Sequence, residues 1–111
     1  MRSLLIFLLV LIWTLSSAQE GSILIDSGKV KVIDDAQVVL SYQVNQQSKD
    51  GKYARASYVH PLYSLDGVVL TEDFPEDHLH QRGIFWAWHQ IYVGDMRIGD
   101  GWTLENFSYD V

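Results

Sequence analysis

Apolar and polar residues alternate through the middle of the chain with the period of a β-strand. The apolar members of the clearest run are Val38, Leu40, Tyr42 and Val44. Because successive side chains of a strand point to opposite faces of a sheet, this period of two predicts a strand with one buried face. A short apolar run at residues 23–25 ends at Asp26-Ser27-Gly28, and an alternating segment at residues 29–33 ends at Asp34-Asp35. Both endings are typical turn sequences.

The second half of the chain continues the same organisation. Further strands are predicted at residues 56–63, 68–71 and 83–93, with polar loops at 45–52 and 72–81. Two dipeptides mark tight turns, namely Asp50-Gly51 and Asp66-Gly67. No segment after residue 18 shows ten residues of helical periodicity. The sequence therefore predicts an all-β fold in which antiparallel sheets form a β-sandwich.

The first 18 residues have the layout of a secretory signal peptide. A positive start is followed by an apolar segment from Leu4 to Leu15, and Ser16-Ser17-Ala18 supplies small residues for cleavage. An uncleaved membrane anchor is the alternative, but a helical span needs about 20 apolar residues and this segment is shorter. We therefore expect an exported protein, periplasmic or extracellular.

Residues 19–111 are enough for one small domain. Strand-forming residues continue to Val111 without a polar tail. A few strands with an exposed edge are poorly stable alone. We therefore expect residues 19–111 to be the N-terminal part of a larger β domain.

The charge of the chain excludes some classes of partner. Fourteen acidic residues against eight basic ones give a net charge of −6. Binding to nucleic acid or to an anionic membrane surface needs a basic face, which the sequence does not offer. No segment after the signal is apolar enough to span a membrane, and the absence of cysteine excludes disulfides and thiolate chemistry.

Residues 77–89 concentrate the side chains that bind metals, anions and sugars. They hold three of the four histidines and two of the four tryptophans. If the segment is extended, His78 and His80 share a face and can present two nitrogen ligands to a divalent metal. A third ligand could come from Asp77, His89, His60 or Glu105. The alternative is a pair of surface histidines that form only local hydrogen bonds.

Gln81-Arg82-Gly83 is a second candidate for ligand binding. The guanidinium of Arg82 is a planar fork that suits a carboxylate, and Gly83 permits close approach of the backbone to a ligand. In the alternative interpretation, Arg82 forms an ion pair that holds the acidic loop in place. Its partner would be Asp73, Glu76 or Asp77.

The tryptophans offer aromatic faces for stacking on sugar rings. Trp86 and Trp88 share one face of the predicted strand, where packing in the core is favoured over ligand binding. Trp102 lies in a glycine-rich loop and is the better candidate for an exposed platform. Asp100, in the same loop, is predicted as a turn residue, with calcium binding as the alternative. His89 is interpreted either as a structural histidine or as part of a substrate-binding surface.

Two segments resemble a known family of exported bacterial proteins. They are Tyr-Val-His-Pro-Leu-Tyr at residues 58–63 and the run at 70–88, which contains Pro-Glu-Asp-His-Leu-His-Gln-Arg-Gly. This order is similar to that of the PmoA family, labelled "methane oxygenase PmoA" and of unknown function. The resemblance extends from Val30 to the end, and the family domain is longer than this chain. Many members have His-His-Arg-Gly where this chain has His80-Gln81-Arg82-Gly83, so a role of the second histidine cannot be transferred.

The resemblance implies a shared functional surface at the matching positions, which are Asp77, His78, His80 and Arg82. Its label does not suit the chain, because a particulate methane monooxygenase subunit has several membrane spans and this chain has none after its signal. The family occurs in the genomic company of sugar oxidoreductases and glycoside-processing proteins, which implies a carbohydrate setting.

We therefore expect an exported protein that acts on or binds carbohydrate. In this hypothesis His78, His80 and Arg82 are catalytic: the histidines act as acids, bases or metal ligands, and Arg82 holds an oxygen-rich group. The predicted substrate-binding residues are Asp77, His89 and Trp102. The alternatives are a non-catalytic carbohydrate-binding or accessory module and a metal-dependent oxygenase.

Overall fold

The computed structural model describes residues 20–86 and 88–111, and the predicted signal peptide lies outside these residues. The described part contains nine strands: β1 (Ser22–Asp26), β2 (Lys29–Asp34), β3 (Gln37–Gln43), β4 (Gln47–Lys49), β5 (Lys52–Arg55), β6 (Tyr58–Leu62), β7 (Ile84–Phe85), β8 (Ile91–Val93) and β9 (Met96–Gly99). It holds no helix long and apolar enough to cross a membrane. All strand pairs are antiparallel, so the predicted all-β antiparallel class is confirmed.

Five strands form the main sheet in the order β1-β2-β3-β6-β7. The clearest alternating run of the sequence forms β3, which pairs with β2 on one side and β6 on the other. The β2–β3 turn places Asp35 and Ala36 at φ angles of 48° and 62°. Positive φ at both central residues suits the right-handed twist of a hairpin. β7 is the short edge strand next to β6. It lies within residues 77–89, the segment in which the sequence predicted the site.

Two small hairpins, β4–β5 and β8–β9, complete the strands of the described part. The first lies partly in residues 45–52, which the sequence predicted as a loop. Polar side chains do not prevent a hairpin there, because the ladder uses only backbone groups. Asp50-Gly51 forms its tip as predicted. The predicted strand at 68–71 makes only a single bridge, between Tyr63 and Val69.

The predicted strand at 83–93 is divided into β7 and β8. β7 has two residues, because β6 pairs with it only at Tyr58 and Val59. Beyond β7 the chain leaves the ladder, and the backbone N–H of Gly101 bonds the carbonyl of Trp88 at 2.9 Å. This bond connects the segment that follows the main sheet to the loop that follows β9.

Burial is concentrated near this connection. The buried apolar side chains are Val44, Ala56 and Tyr58. Arg82 and Asp100 are also buried, at 1% and 2% exposure. Buried charged groups need partners, since an unpaired ion loses its hydration without compensation. The partners of these two residues define the geometry of the candidate site.

Candidate functional site

Arg82 is held from several sides within the protein. One terminal nitrogen, Nη1, donates to the carbonyls of Leu79 at 2.7 Å and Gln81 at 3.0 Å, while Nη2 donates to the carbonyl of Tyr53. Nε lies 3.1 Å from Oδ1 of Asp73. The guanidinium carbon also lies 3.4 Å from the centroid of the Phe74 ring, a cation–π distance. The structure therefore contains the ion pair that the sequence offered as the alternative for Arg82, with Asp73 as its partner.

Asp73 joins Arg82 to the core of the sheet. Its Oδ2 accepts a hydrogen bond of 3.1 Å from the hydroxyl of Tyr58, which is fully buried. Burial, reinforced by the Asp73 carboxylate, raises the pKa of Tyr58 well above its usual range, so the phenol stays neutral and donates. Burial lowers the pKa of Arg82, and the charge of Asp73 opposes that shift. The three side chains form a buried network that fixes residues 72–83 on β6.

Gly83 is required by its contact with the same strand. A Cβ at this position would overlap the carbonyl group of Val59 and lie 3.2 Å from Cβ of His60. The N–H of Gly83 also donates to the carbonyl of Glu72 at 2.8 Å. The close backbone approach anticipated at Gly83 is therefore made with β6.

The Asp77–His78–His80 cluster lies on the surface in a pair of turns. Nδ1 of His78 is 3.0 Å from Oδ2 of Asp77, and both side chains are more than half exposed. The ring centroids of His78 and His80 are 6.0 Å apart in an edge-to-face arrangement. The hydrogen bond from His78 holds the pKa of Asp77 below its usual value. The imidazoles are brought together by turns, not by the extended strand assumed from the His-x-His spacing.

The two imidazoles alone do not make a complete metal centre. A protein zinc site uses three or four side-chain ligands. Within residues 20–86 and 88–111, no group of three or more histidine, aspartate or glutamate side chains converges in that way. His60, a proposed third ligand, instead has its Nδ1 2.9 Å from the Thr71 hydroxyl.

A polar cleft of about 330 Å³ borders this cluster. Its lining includes Glu72, Asp77, Gln81, Arg82 and Phe85. A larger cavity of about 600 Å³ lies elsewhere, between the β2–β3 turn and residues 63–67, and has none of the predicted site residues in its lining. Both cavities combine two carboxylates, an amide and an aromatic ring in their linings. The smaller cleft is the better candidate, because only its lining contains predicted site residues, namely Asp77 and Arg82.

The tryptophans have the reverse of their predicted exposure. Trp86 and Trp88 are 79% and 65% exposed, so their predicted packing in the core is wrong. The physical reason is that the sheet ends at Phe85, one residue before the first indole. Trp102 is half-buried and stacks on Phe85 with centroids 4.6 Å apart, while the guanidinium of Arg55 lies 4.7 Å from its centroid. A role of Trp102 in binding substrate stays a prediction.

His89 is paired with a buried carboxylate. Its Nδ1 contacts Oδ2 of Asp100, and the imidazole side chain is 59% exposed. Burial disfavours the charged form of Asp100, yet hydrogen bonds from the backbone of Thr103, Trp102 and Gln90 hold the pKa of its carboxyl below the ordinary 3.8. The structure thus brings His89 to Asp100 and places Asp77 beside His78 and His80.

Sequence reasoning missed the partners that organise these groups. Asp73 was named only as one of three options for Arg82, and Asp100 only as a turn residue or, alternatively, a calcium ligand. Tyr58 and Phe85 were assigned to strands without a role at the site. The signal for Asp100 was its place before Gly101-Trp102-Thr103, because an aspartate can accept hydrogen bonds from N–H groups two and three residues ahead.

A family model matches the chain over residues 29–106, and its description is "Family of unknown function (DUF6807)". No curated protein and no solved structure matches the chain significantly. The matched segment includes the whole Asp73–Arg82 network, the cleft and the His89–Asp100 pair. Because it covers well over half of the 111 residues, the chain belongs to the DUF6807 family of unknown function.

Proposed function

We propose that this chain is an exported protein that binds carbohydrate in the cleft between residues 72–83 and Phe85. The observation that carries the proposal is the lining of that cleft by Glu72, Asp77, Gln81 and an aromatic ring. Carboxylate and amide oxygens accept hydrogen bonds from hydroxyl groups, and an aromatic face covers the C–H face of a sugar ring. A volume of about 330 Å³ is at the small end of ligand sites and suits a single sugar ring.

Two exposed indoles follow the aromatic wall of the cleft in the chain. Trp86 and Trp88 come directly after β7, which ends at Phe85. Exposed indoles present flat apolar faces on which a sugar ring can stack. They support a ligand that continues beyond the cleft, such as a glycoside or an oligosaccharide. The resemblance to the PmoA family supports the same carbohydrate setting.

His78 and His80, which follow the cleft residue Asp77 in the chain, supply the chemistry in this proposal. Because Nδ1 of His78 faces Asp77, its Nε2 is available to exchange a proton with a ligand hydroxyl. His80 lies close enough to act on the same ligand. Arg82 is buried and both of its terminal nitrogens donate to backbone carbonyls, so its part is to hold residues 72–83 in position and not to donate freely to a ligand.

Replacing Asp77 by alanine is expected to weaken sugar binding about tenfold or more, because a hydrogen bond to a charged acceptor is lost. Saturation-transfer NMR against neutral monosaccharides and their methyl glycosides identifies the ligand, and a titration of amide shifts gives Kd. Asp66→Ala is the matched control, since Asp66 is an exposed turn acid outside the cleft lining. Lack of transfer to every sugar, or equal effects of both variants, contradicts the proposal.

Turnover separates an enzyme from an accessory module. Once a ligand is known, the double variant His78→Ala/His80→Ala is expected to reduce its conversion at least a hundredfold if these residues are the acid and base. Unchanged conversion removes both from the mechanism. If the protein binds sugar and converts none, it is a binding module. The oxygenase alternative requires iron or copper, so metal analysis of the purified full chain tests it directly.

A further inference from the structure

Two aspartate–histidine pairs in the described part of the chain are built differently. Asp77 is 79% exposed in its side chain, and its pairing with His78 is a surface contact between neighbours in the sequence. Asp100 is only 3% exposed in its side chain, and its partner His89 lies eleven residues earlier in the chain. Only the second pair has a carboxylate fixed by the fold.

Both oxygens of Asp100 are engaged. Oδ1 accepts hydrogen bonds from the backbone N–H groups of Trp102 at 2.9 Å and Thr103 at 3.0 Å. Oδ2 faces Nδ1 of His89, with the N–H of Gln90 at 3.4 Å. The carboxylate cannot rotate without losing these bonds, so it presents one oxygen to the imidazole in a constant direction.

The backbone around the pair is also held. The N–H of Gly101 bonds the carbonyl of Trp88 at 2.9 Å, and the hydroxyl of Tyr109 donates to the carbonyl of Gly101 at 3.1 Å. A side chain at residue 101 would overlap that tyrosine hydroxyl. These contacts join the residue before His89 to the residue after Asp100.

The protonation state of the imidazole follows from its partner. An ionised carboxylate only accepts hydrogen bonds, so Nδ1 of His89 must carry the proton. In the neutral imidazole Nε2 then keeps its lone pair, and 59% of this side chain is exposed. A histidine with one nitrogen fixed by a carboxylate and the other open to a ligand is the arrangement of a general base.

We propose that His89 is a general base, and that Asp100 is the positioning residue that fixes its Nδ1–H tautomer. Nε2 takes the proton of a hydroxyl group on a bound ligand or of a water molecule: the O–H bond breaks, an N–H bond forms, and the resulting imidazolium is paired with Asp100. The pair connects to the cleft through Trp102, whose ring stacks on Phe85. The geometry of the His89–Asp100 pair does not depend on whether that cleft holds a sugar.

The test compares Asp100→Asn with Asp77→Asn by nitrogen-15 NMR of the histidine rings in the full chain. In the wild type, the Nδ1–H form of His89 is expected to exceed the Nε2–H form about tenfold or more, as a hydrogen bond to a charged group implies. In Asp100→Asn the amide oxygen keeps the backbone bonds and the NH₂ group faces Nδ1, so the ratio inverts. For His78, Asp77→Asn is expected to change the ratio less than about threefold, because that pair is exposed.

Reaction with diethyl pyrocarbonate supplies a reactivity readout. The reagent transfers its ethoxycarbonyl group to an unprotonated ring nitrogen and releases carbon dioxide and ethanol. Peptide mass spectrometry is expected to show modification of His89 about tenfold faster in the wild type than in Asp100→Asn, where the free nitrogen is covered. A predominant Nε2–H form in the wild type overturns the proposal even if the variant does not fold. If Asp100→Asn folds, an unchanged tautomer ratio of His89 or an unchanged rate of its modification also overturns the proposal.

Discussion

Replacing Arg82 by methionine is expected to lower the free energy of unfolding by about 3–5 kcal/mol, the usual cost of breaking a buried ion pair. Methionine fills a similar volume but provides no donors. It leaves the Asp73 carboxylate with only the Tyr58 hydroxyl, and it leaves three carbonyl oxygens without the guanidinium. Urea denaturation of the full chain, followed by tryptophan fluorescence, measures the loss.

The matched control is Arg97→Met. Arg97 forms a bidentate pair with Glu105 at 2.6 Å, but both side chains are well exposed, so the effect is expected to be far smaller. The double variant Arg82→Met/Asp73→Leu adds a second check. Because it also removes the stranded charge, its loss should be smaller than the sum of the two single losses. Equal effects at Arg82 and Arg97 would contradict the role of the buried network.

Loss of the Arg82 contacts is also expected to affect ligand binding, because these contacts support residues beside the cleft. Arg82 bonds the carbonyls of Leu79 and Gln81, which lie immediately after the Asp77–His78 pair. Without the guanidinium these carbonyls lose their hydrogen-bond donor, so the residues beside the cleft are held less firmly, although Arg82 itself is buried. An arginine inside a functional run can thus be essential to the site without touching a ligand, as a support for the residues that do.

The sequence predicted the strands with a regular alternation. β2 and β3 form where the alternation predicts strands, but burial does not alternate along them. In β3 the most buried side chains are the polar Ser41 and Gln43, whereas the apolar face predicted to be buried is only half-buried. The alternation failed at residues 83–93, where apolar and aromatic residues continue past the end of β7. Pattern alone cannot reveal that end, since it depends on how many residues β6 offers for pairing. The misplaced tryptophans follow from this one error.

The candidate site was predictable in its location but not in its construction. Asp77, His78 and His80 do lie together, since neighbours in a turn cannot separate far. The long-range partners were not predictable: Tyr58 reaches Asp73 across 15 residues, and Asp100 reaches His89 across eleven. Such pairings depend on tertiary packing, which spacing in a single sequence does not encode.

Replacing Gly83 by alanine is expected to cost about 1–3 kcal/mol of unfolding free energy, which is typical when an added methyl group overfills a packed position. The new Cβ would meet the Val59 carbonyl, a rigid backbone group of the central sheet, so β6 and residue 83 must separate. Their separation strains the hydrogen bond from Gly83 to Glu72 and the adjoining Asp73–Arg82 bridge. Denaturant midpoints and amide exchange at residue 83 measure both effects.

Gly21→Ala is the control for this substitution. A Cβ at residue 21 would lie 3.6 Å from the carbonyl oxygen of Ile33, an ordinary van der Waals distance. Its effect should therefore stay within about 0.5 kcal/mol. If Gly83→Ala lowers the unfolding free energy no more than Gly21→Ala, and the amide of residue 83 exchanges as slowly as in the wild type, the contact at residue 83 does not hold residues 72–83 against β6. Faster exchange confined to residues 72–83, with the rest of the sheet unchanged, would show that the contact at Gly83 positions the rim of the cleft.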